Sequence, residues 1–142
     1  MKWEKPIIIL IRELENQIER QSNNSMKSMD ITMSQAAVLA AVLESPDKQL
    51  TMKELEKRVH LSQSVTAGIV SRMEQKQYLE SFGNPDDKRI KMIRVTEQGE
   101  KQCNEARKIL VKIERQITDG LTEKEKTSLE ELLTKAIENM MI

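Results

Sequence analysis

The chain has a single cysteine and a single histidine, Cys103 and His60, in 142 residues. A Cys/His zinc site, an intrachain disulfide and a Cys-x-x-Cys redox pair are therefore excluded within one chain. A Ser-His-Asp or Cys-His triad would have to use His60, and no nucleophile motif lies near it. Glycine is scarce and scattered (Gly68, Gly83, Gly99, Gly120), which rules out a glycine-rich phosphate loop. Aromatics amount to 2%: Trp3, Tyr78 and Phe82. Net charge is also missing, with 23 Lys and Arg against 23 Asp and Glu. A protein that coats nucleic acid by bulk charge is unlike this, so any anion-binding surface must come from a local imbalance. The apolar run Ile7 to Ile11 is closed by Arg12 and Glu13 and is too short for a signal-peptide core or a membrane span. These absences lead to the expectation of a non-enzymatic cytoplasmic protein with no cofactor, no metal and no membrane association.

What is present is apolar residues at helical spacing. Ile7, Leu10, Ile11, Leu14 and Ile18 form a stripe over 7–20, and the polar stretch from Gln21 to Asp30 reads as a loop or frayed end. Thr32 and Gln35 make a capping box for a helix carrying Ala36, Val38, Leu39, Val42 and Leu43, stopped by Ser45-Pro46-Asp47. Thr51 and Glu54 cap a short third helix with Met52, Leu55 and Val59. Ser62 caps a fourth over Gln63 to Gln75, with Val65, Ile69, Val70 and Met73 expected on its buried face.

Two extended runs follow, Tyr78 to Phe82 and Ile90 to Val95. They flank Asn84-Pro85-Asp86-Asp87, which predicts a β-hairpin with a charged tip. Thr96 caps a long helix with a seam of Cys103, Ala106, Leu110, Ile113 and Ile117; the partner of that seam could lie in the same chain or in another. Asp119-Gly120 breaks it. Thr122 and Glu125 cap a last amphipathic helix carrying Leu129, Leu132, Leu133, Ala136, Ile137, Met140 and Met141.

Charge is distributed unevenly along this order. Residues 51–95 hold 9 basic and 6 acidic side chains, whereas the flanking segments are each slightly acidic. Within 88–95, Lys88, Arg89, Lys91 and Arg94 occur with no acid. The fourth helix is expected to expose Gln63, Ser64, Ala67, Gly68, Ser71 and Arg72. Such a face, small and neutral but for one Arg, can approach base edges in a major groove without electrostatic penalty. Taken singly, a Ser/Gln helix face is usually a surface and a basic hairpin is usually solvated. Their order is more telling: short helix, tight turn, second helix, two-stranded wing is the winged helix-turn-helix layout.

These residues resemble the MarR family (multiple antibiotic resistance regulators) from about Ile31 to Met140. The matching stretches are Thr32-Met33-Ser34-Gln35, Leu50 to Leu55, Leu61 to Thr66, Val70 to Glu74, Asn84 to Arg89, Val95-Thr96-Glu97-Gln98-Gly99 and Gly120 to Glu125. The resemblance implies a mainly α fold with a small β-hairpin wing: a single MarR-like domain over 1–142. It would comprise a winged helix-turn-helix DNA-binding lobe, 31–95, and a helical dimerisation region, 7–20 and 97–141. It further implies a homodimeric, sequence-specific regulator of transcription, a repressor on a pseudo-palindromic double-stranded DNA operator, released by a small-molecule effector of unknown identity. The alternative is a winged-helix protein-interaction module without specific DNA binding.

Carried over by position, Asp87 orients Arg89, and Arg89 enters the minor groove, where a narrow A·T-rich groove concentrates negative potential. Lys88 and Lys91 contact phosphate. Ser64, Thr66, Ala67, Gly68 and Ser71 line the base edges, with Gln63 at the helix entry. Arg72 binds phosphate or, equally, pairs internally with Glu74 or Asp86. Cys103 is a redox candidate set against the commoner reading of a buried inert thiol. One departure stands out: the family usually has Gly where this chain has Gln77, so a different local turn is expected there.

Overall fold

The computed structural model describes residues 6–141. They form two compact units, one ending at Leu110 and the other beginning at Val111. The first unit opens with α1 (Ile7–Met26), a 3-10 turn (Lys27–Met29) and α2 (Met33–Leu43). Then come β1 (Gln49–Thr51), α3 (Met52–Val59), α4 (Gln63–Gln75), β2 (Leu79–Gly83) and β3 (Lys91–Val95). The boundary falls inside α5 (Glu97–Ile117), whose remainder joins α6 (Glu123–Met140) in the second unit.

The helix starts are set by side-chain caps. Thr32, Thr51 and Thr122 each accept a hydrogen bond from the backbone N–H three residues on, and Gln35, Glu54 and Glu125 return the bond to the cap residue's own N–H. These reciprocal bonds satisfy two otherwise orphaned donors at each start. One expectation fails, and another is borne out but incomplete. The polar stretch after residue 20 is helical to Met26, because Ser22 and Met26, one turn apart, both bury completely. Asn23 is also consumed there, its Oδ1 accepting from Met33 N at 2.9 Å. The hairpin, in turn, is part of a three-stranded antiparallel sheet in the order β1-β3-β2. Its extra strand, β1, is only three residues long and pairs Leu50 with Ile93. A run that short carries no readable alternation.

The first unit's main core draws one or more side chains from each helix and strand from α2 to the start of α5. Val38, Leu39 and Val42 of α2 meet Leu50, Leu55, Val70, Met73, Leu79, Ile93 and Cys103. A smaller cluster joins Met26 and Ile31 to Ala36 and Ala106. The first half of the α5 seam thus finds its partner within the chain, in both clusters. Two ion pairs add to this docking of α5, Lys48 with Glu100 at 3.0 Å and Arg107 with Glu44 at 2.5 Å. Among the described residues, no helix is long and apolar enough to cross a membrane.

Candidate nucleic-acid interface

α3 and α4 are joined by a tight turn in which His60 adopts a left-handed conformation, φ 54°. Ser62 then caps α4, its Oγ accepting from Val65 N at 3.2 Å. Gln63, Ser64, Ala67, Gly68, Ser71 and Arg72 are all exposed, as the pattern requires. Gly68 faces open space: a Cβ added there would meet nothing within 4 Å.

Two neighbouring residues exchange the places expected of them. Thr66 is fully buried, and Val65 is 49% exposed. The buried set is Thr66, Ile69, Val70 and Met73, the i, i+3, i+4, i+7 series, and Val65 lies one residue off it. Burial of Thr66 is tolerated because its hydroxyl donates to Ser62 O at 2.9 Å. The structure therefore removes Thr66 from the base-facing set and adds Val65 to the exposed face. Testing all four positions against the helical series, rather than ranking by hydrophobicity, would have found the exchange.

The wing tip is built by Asn84, whose Oδ1 accepts from Asp86 N at 2.8 Å and whose N–H donates to Ile90 O at 2.9 Å. Asp87 receives three hydrogen bonds from Arg89: from the backbone N at 3.1 Å, from Nε at 3.0 Å and from Nη2 at 3.2 Å. The Arg89 side chain nevertheless stays 91% exposed. Arg89's side-chain hydrogen bonds, then its backbone one, hold the Asp87 carboxyl below its ordinary range. The guanidinium is thus oriented but not covered.

The other wing cations are partly neutralised by acids on neighbouring strands and helices. Arg94 pairs with Glu80 at 3.1 Å and stacks over the Phe82 ring at 4.7 Å. Lys91 lies 3.7 Å from Glu74. Lys88 and Arg89 supply the outward charge at the tip. Among the described residues Arg72 has no acidic partner, so the internal pair with Glu74 or Asp86 does not form. The same residues hold no cluster of His, Cys, Asp and Glu that could bind a metal.

Residues 29–90, the span from the 3-10 turn to the wing tip, match the MarR family model. The multiple antibiotic resistance protein MarR of Escherichia coli K12 is 26% identical over 133 residues, which cover 93% of this chain and 91% of that protein. The chain is therefore similar to the MarR family over its central span and to MarR itself along most of its length. Its fold superposes on a crystal structure of a cysteine-to-serine variant of E. coli MarR in complex with operator DNA. The TM-score is 0.81 at 26% identity, covering 89% of this chain and 90% of that one. A Staphylococcus aureus MepR–DNA complex has the same fold, with a TM-score of 0.90 at 20% identity over 96% of this chain and all of that one.

The MarR-like Val-Thr-x-x-Gly start of α5 has a structural cause. Thr96 Oγ1 accepts from Gly99 N at 3.0 Å and donates to Gln77 O at 2.6 Å. Gly99 is buried against the same turn, where an added Cβ would stand 2.1 Å from Tyr78 O. The turn itself is left-handed all the same, for Gln77 has φ 65°. The expectation of a different turn is thereby corrected: the Thr96 and Tyr78 contacts hold the geometry in spite of the side chain. Cys103 packs in the main core, and burial pushes its thiol up while Arg107 pulls it back in part. That setting is the reverse of a reactive thiolate's.

Proposed function

We propose that this chain is a MarR-family, sequence-specific double-stranded DNA-binding transcription regulator, acting as a homodimeric repressor on a pseudo-palindromic operator in the cytoplasm. The observation that carries the reading is the wing tip, where Asp87 presents an exposed Arg89 beside a small, nearly neutral face of α4. An arginine held in a fixed plane with its outer edge free suits a narrow minor groove, while α4 occupies the adjacent major groove. In this reading Gln63, Ser64, Ala67, Gly68, Ser71 and the added Val65 face base edges. Arg72, Lys88 and Lys91 meet phosphate. E. coli MarR, which binds operator DNA in its crystal structure, supports the assignment.

Dimerisation is supported by apolar side chains that each unit leaves uncovered: Ile7, Ile8, Leu10 and Ile11 on α1, and Leu132, Ile137 and Met140 on α6. A dimer would place two half-sites about one helical turn, roughly 34 Å, apart. Effector-driven release would act by favouring a spacing of the two α4 helices that the operator cannot match.

Selection of bound duplexes from a random pool gives the site and its symmetry. On the selected duplex, Arg89→Ala should weaken binding about tenfold. If Arg89 meets phosphate, the variant should also lower the salt slope by about 1 per protomer. Equal affinity of wild type and variant across the salt series would remove Arg89 from the interface.

A further inference from the structure

Where the end of α1, the first turn of α2 and the last turn of α4 meet, the first unit holds a cavity of about 230 Å³. Its polar walls have an unusual bias. The acceptor oxygens of three wall residues are engaged by the start of α2: Asn23 Oδ1 takes Met33 N, Gln35 Oε1 takes Thr32 N at 3.1 Å, and Thr32 Oγ1 takes Gln35 N at 3.2 Å. What remains to the cavity is their donors: an amide Nδ2, an amide Nε2 and a hydroxyl hydrogen. Gln35 is only 7% exposed, and its Nε2 has no partner among the described residues. That Nε2 is not sealed off, since Ser22 Oγ is the one buried side-chain polar atom left without a partner among the described residues, so the amide N–H is open to the cavity.

Lys27, Arg72 and Lys76 line the same cavity. The one acid there, Asp30, is spent on Lys76: its carboxylate lies 3.3 Å from Nζ, and its backbone carbonyl accepts from the same ammonium. Lys27 and Arg72 have no acidic partner among the described residues. Three cations against one carboxylate, above a wall of amide and hydroxyl donors, make a pocket for an anion with several acceptor oxygens.

We propose that this cavity is an oxyanion site, for a phosphate or a carboxylate, with Gln35 Nε2 at its floor and Lys27, Arg72 and Lys76 at its mouth. The same chemistry is offered by a backbone phosphate of bound DNA and by a small free anion. Two residues separate the question from the α4 face. Gln35→Glu keeps the capping oxygen and replaces the donor with negative charge. Lys27→Gln alters an exposed side chain outside the fold's core, so it remains informative if the first variant folds poorly.

The first arm needs no DNA and does not depend on the regulator reading. The full chain is melted in inorganic phosphate and in chloride at equal ionic strength. Wild type should gain about 2–4 °C more in phosphate than either variant does; the part of the gain common to all three is the general salting effect. The second arm titrates the selected duplex in chloride. If the anion is a DNA phosphate, both variants lose affinity and the Lys27→Gln salt slope falls by about 1 per protomer. If it is a free anion, duplex affinity in chloride is unchanged and only the phosphate gain disappears. Wild type and both variants behaving alike in both arms would overturn the proposal. Loss of duplex binding by wild type itself, with the phosphate gain intact, would instead overturn the regulator reading alone.

Discussion

α2 and α6 are both apolar at helical spacing, yet they meet opposite fates. α2 buries Gln35, Ala36, Val38, Leu39 and Val42 within eleven residues. α6 buries none of its eighteen within the chain, and Ile137 stands 59% exposed. Helical periodicity announces that a face wants covering; it does not say what covers it. α2 sits in the middle of a sequence-local lobe, with strands and helices close by in the chain to enclose it. The stripe of α6 leaves large apolar side chains in water, at about 25 cal/mol per Å² of apolar area, and so points to a second copy. The difference separates two kinds of stability, one internal to a chain and one dependent on concentration.

The largest effect should come from the closed lobe. Gly99→Ala would drive a Cβ to 2.1 Å from a backbone oxygen, which no rotamer change can relieve. Either α5 lifts from the β2 turn or the lobe opens, at a cost of several kcal/mol on the scale of severe overpacking. Urea titration at two protein concentrations measures it, and a midpoint unchanged from wild type would show that the close approach is not maintained in solution. The counterpart in the open region is Ile137→Glu. It buries nothing in the chain and so should leave the unfolding of isolated protomers nearly unaltered, while raising the dimer dissociation constant by about 100-fold or more. Sedimentation equilibrium separates the two. A variant that remains a dimer at micromolar concentration would locate the interface elsewhere.

Much of the lobe could be read in advance because its signals are local. The three capping boxes, the Asn-Pro-Asp-Asp turn and the Ser62 cap each lie within four residues and are found where they were expected. What escaped depended on distant partners. The last turns of α1 look polar, yet Ser22 and Met26 are buried, Met26 in a cluster that includes Ala106 of α5, eighty residues on. β1 is too short to carry alternation and exists through its pairing with β3. The exchange of Val65 and Thr66 follows helical phase, which a ranking by hydrophobicity does not contain. The donor bias of the oxyanion cavity could not be seen either, since Asn23 and Arg72 belong to different helices. Arg89 on Asp87 was legible only through the family resemblance: spacing alone puts an acid near a base without showing which atoms meet.

Cys103 tests the boundary between the two regions from within, since it occupies the stripe of α5 where that stripe enters the lobe. Its thiol should react with an aromatic disulfide reagent only as fast as the lobe opens, and Ile137→Glu should not speed it. The linked pH effect has a definite sign. A folded-state pKa raised above the ordinary 9.0 keeps the thiol neutral, so its contribution is intact below that value. The unfolded chain then ionises first, and stability falls as pH climbs toward the folded-state value. Cys103→Ala should flatten this alkaline decline at the expense of some packing. Rapid labelling at neutral pH would contradict the buried assignment and revive a redox role.

The smallest effect expected is also the one with a favourable sign. Gln77 holds φ 65° with a Cβ, a conformation that costs an L-residue on the order of 1 kcal/mol relative to glycine. Gln77→Gly relieves that strain but frees the unfolded chain, which returns part of the gain. The side chain is exposed, so no packing is lost. The carbonyl that accepts from Thr96 and the N–H that donates to Glu74 O at 2.9 Å belong to the backbone and are kept. The balance should be a stabilisation of about 0.5 kcal/mol, seen as a higher urea midpoint with an unchanged dimer dissociation constant. A drop in stability would mean that the turn is not left-handed in solution, and the contacts of Thr96 and Gly99 that depend on it would need reassignment. A gain confined to the lobe, with association untouched, is what two independent stabilities require.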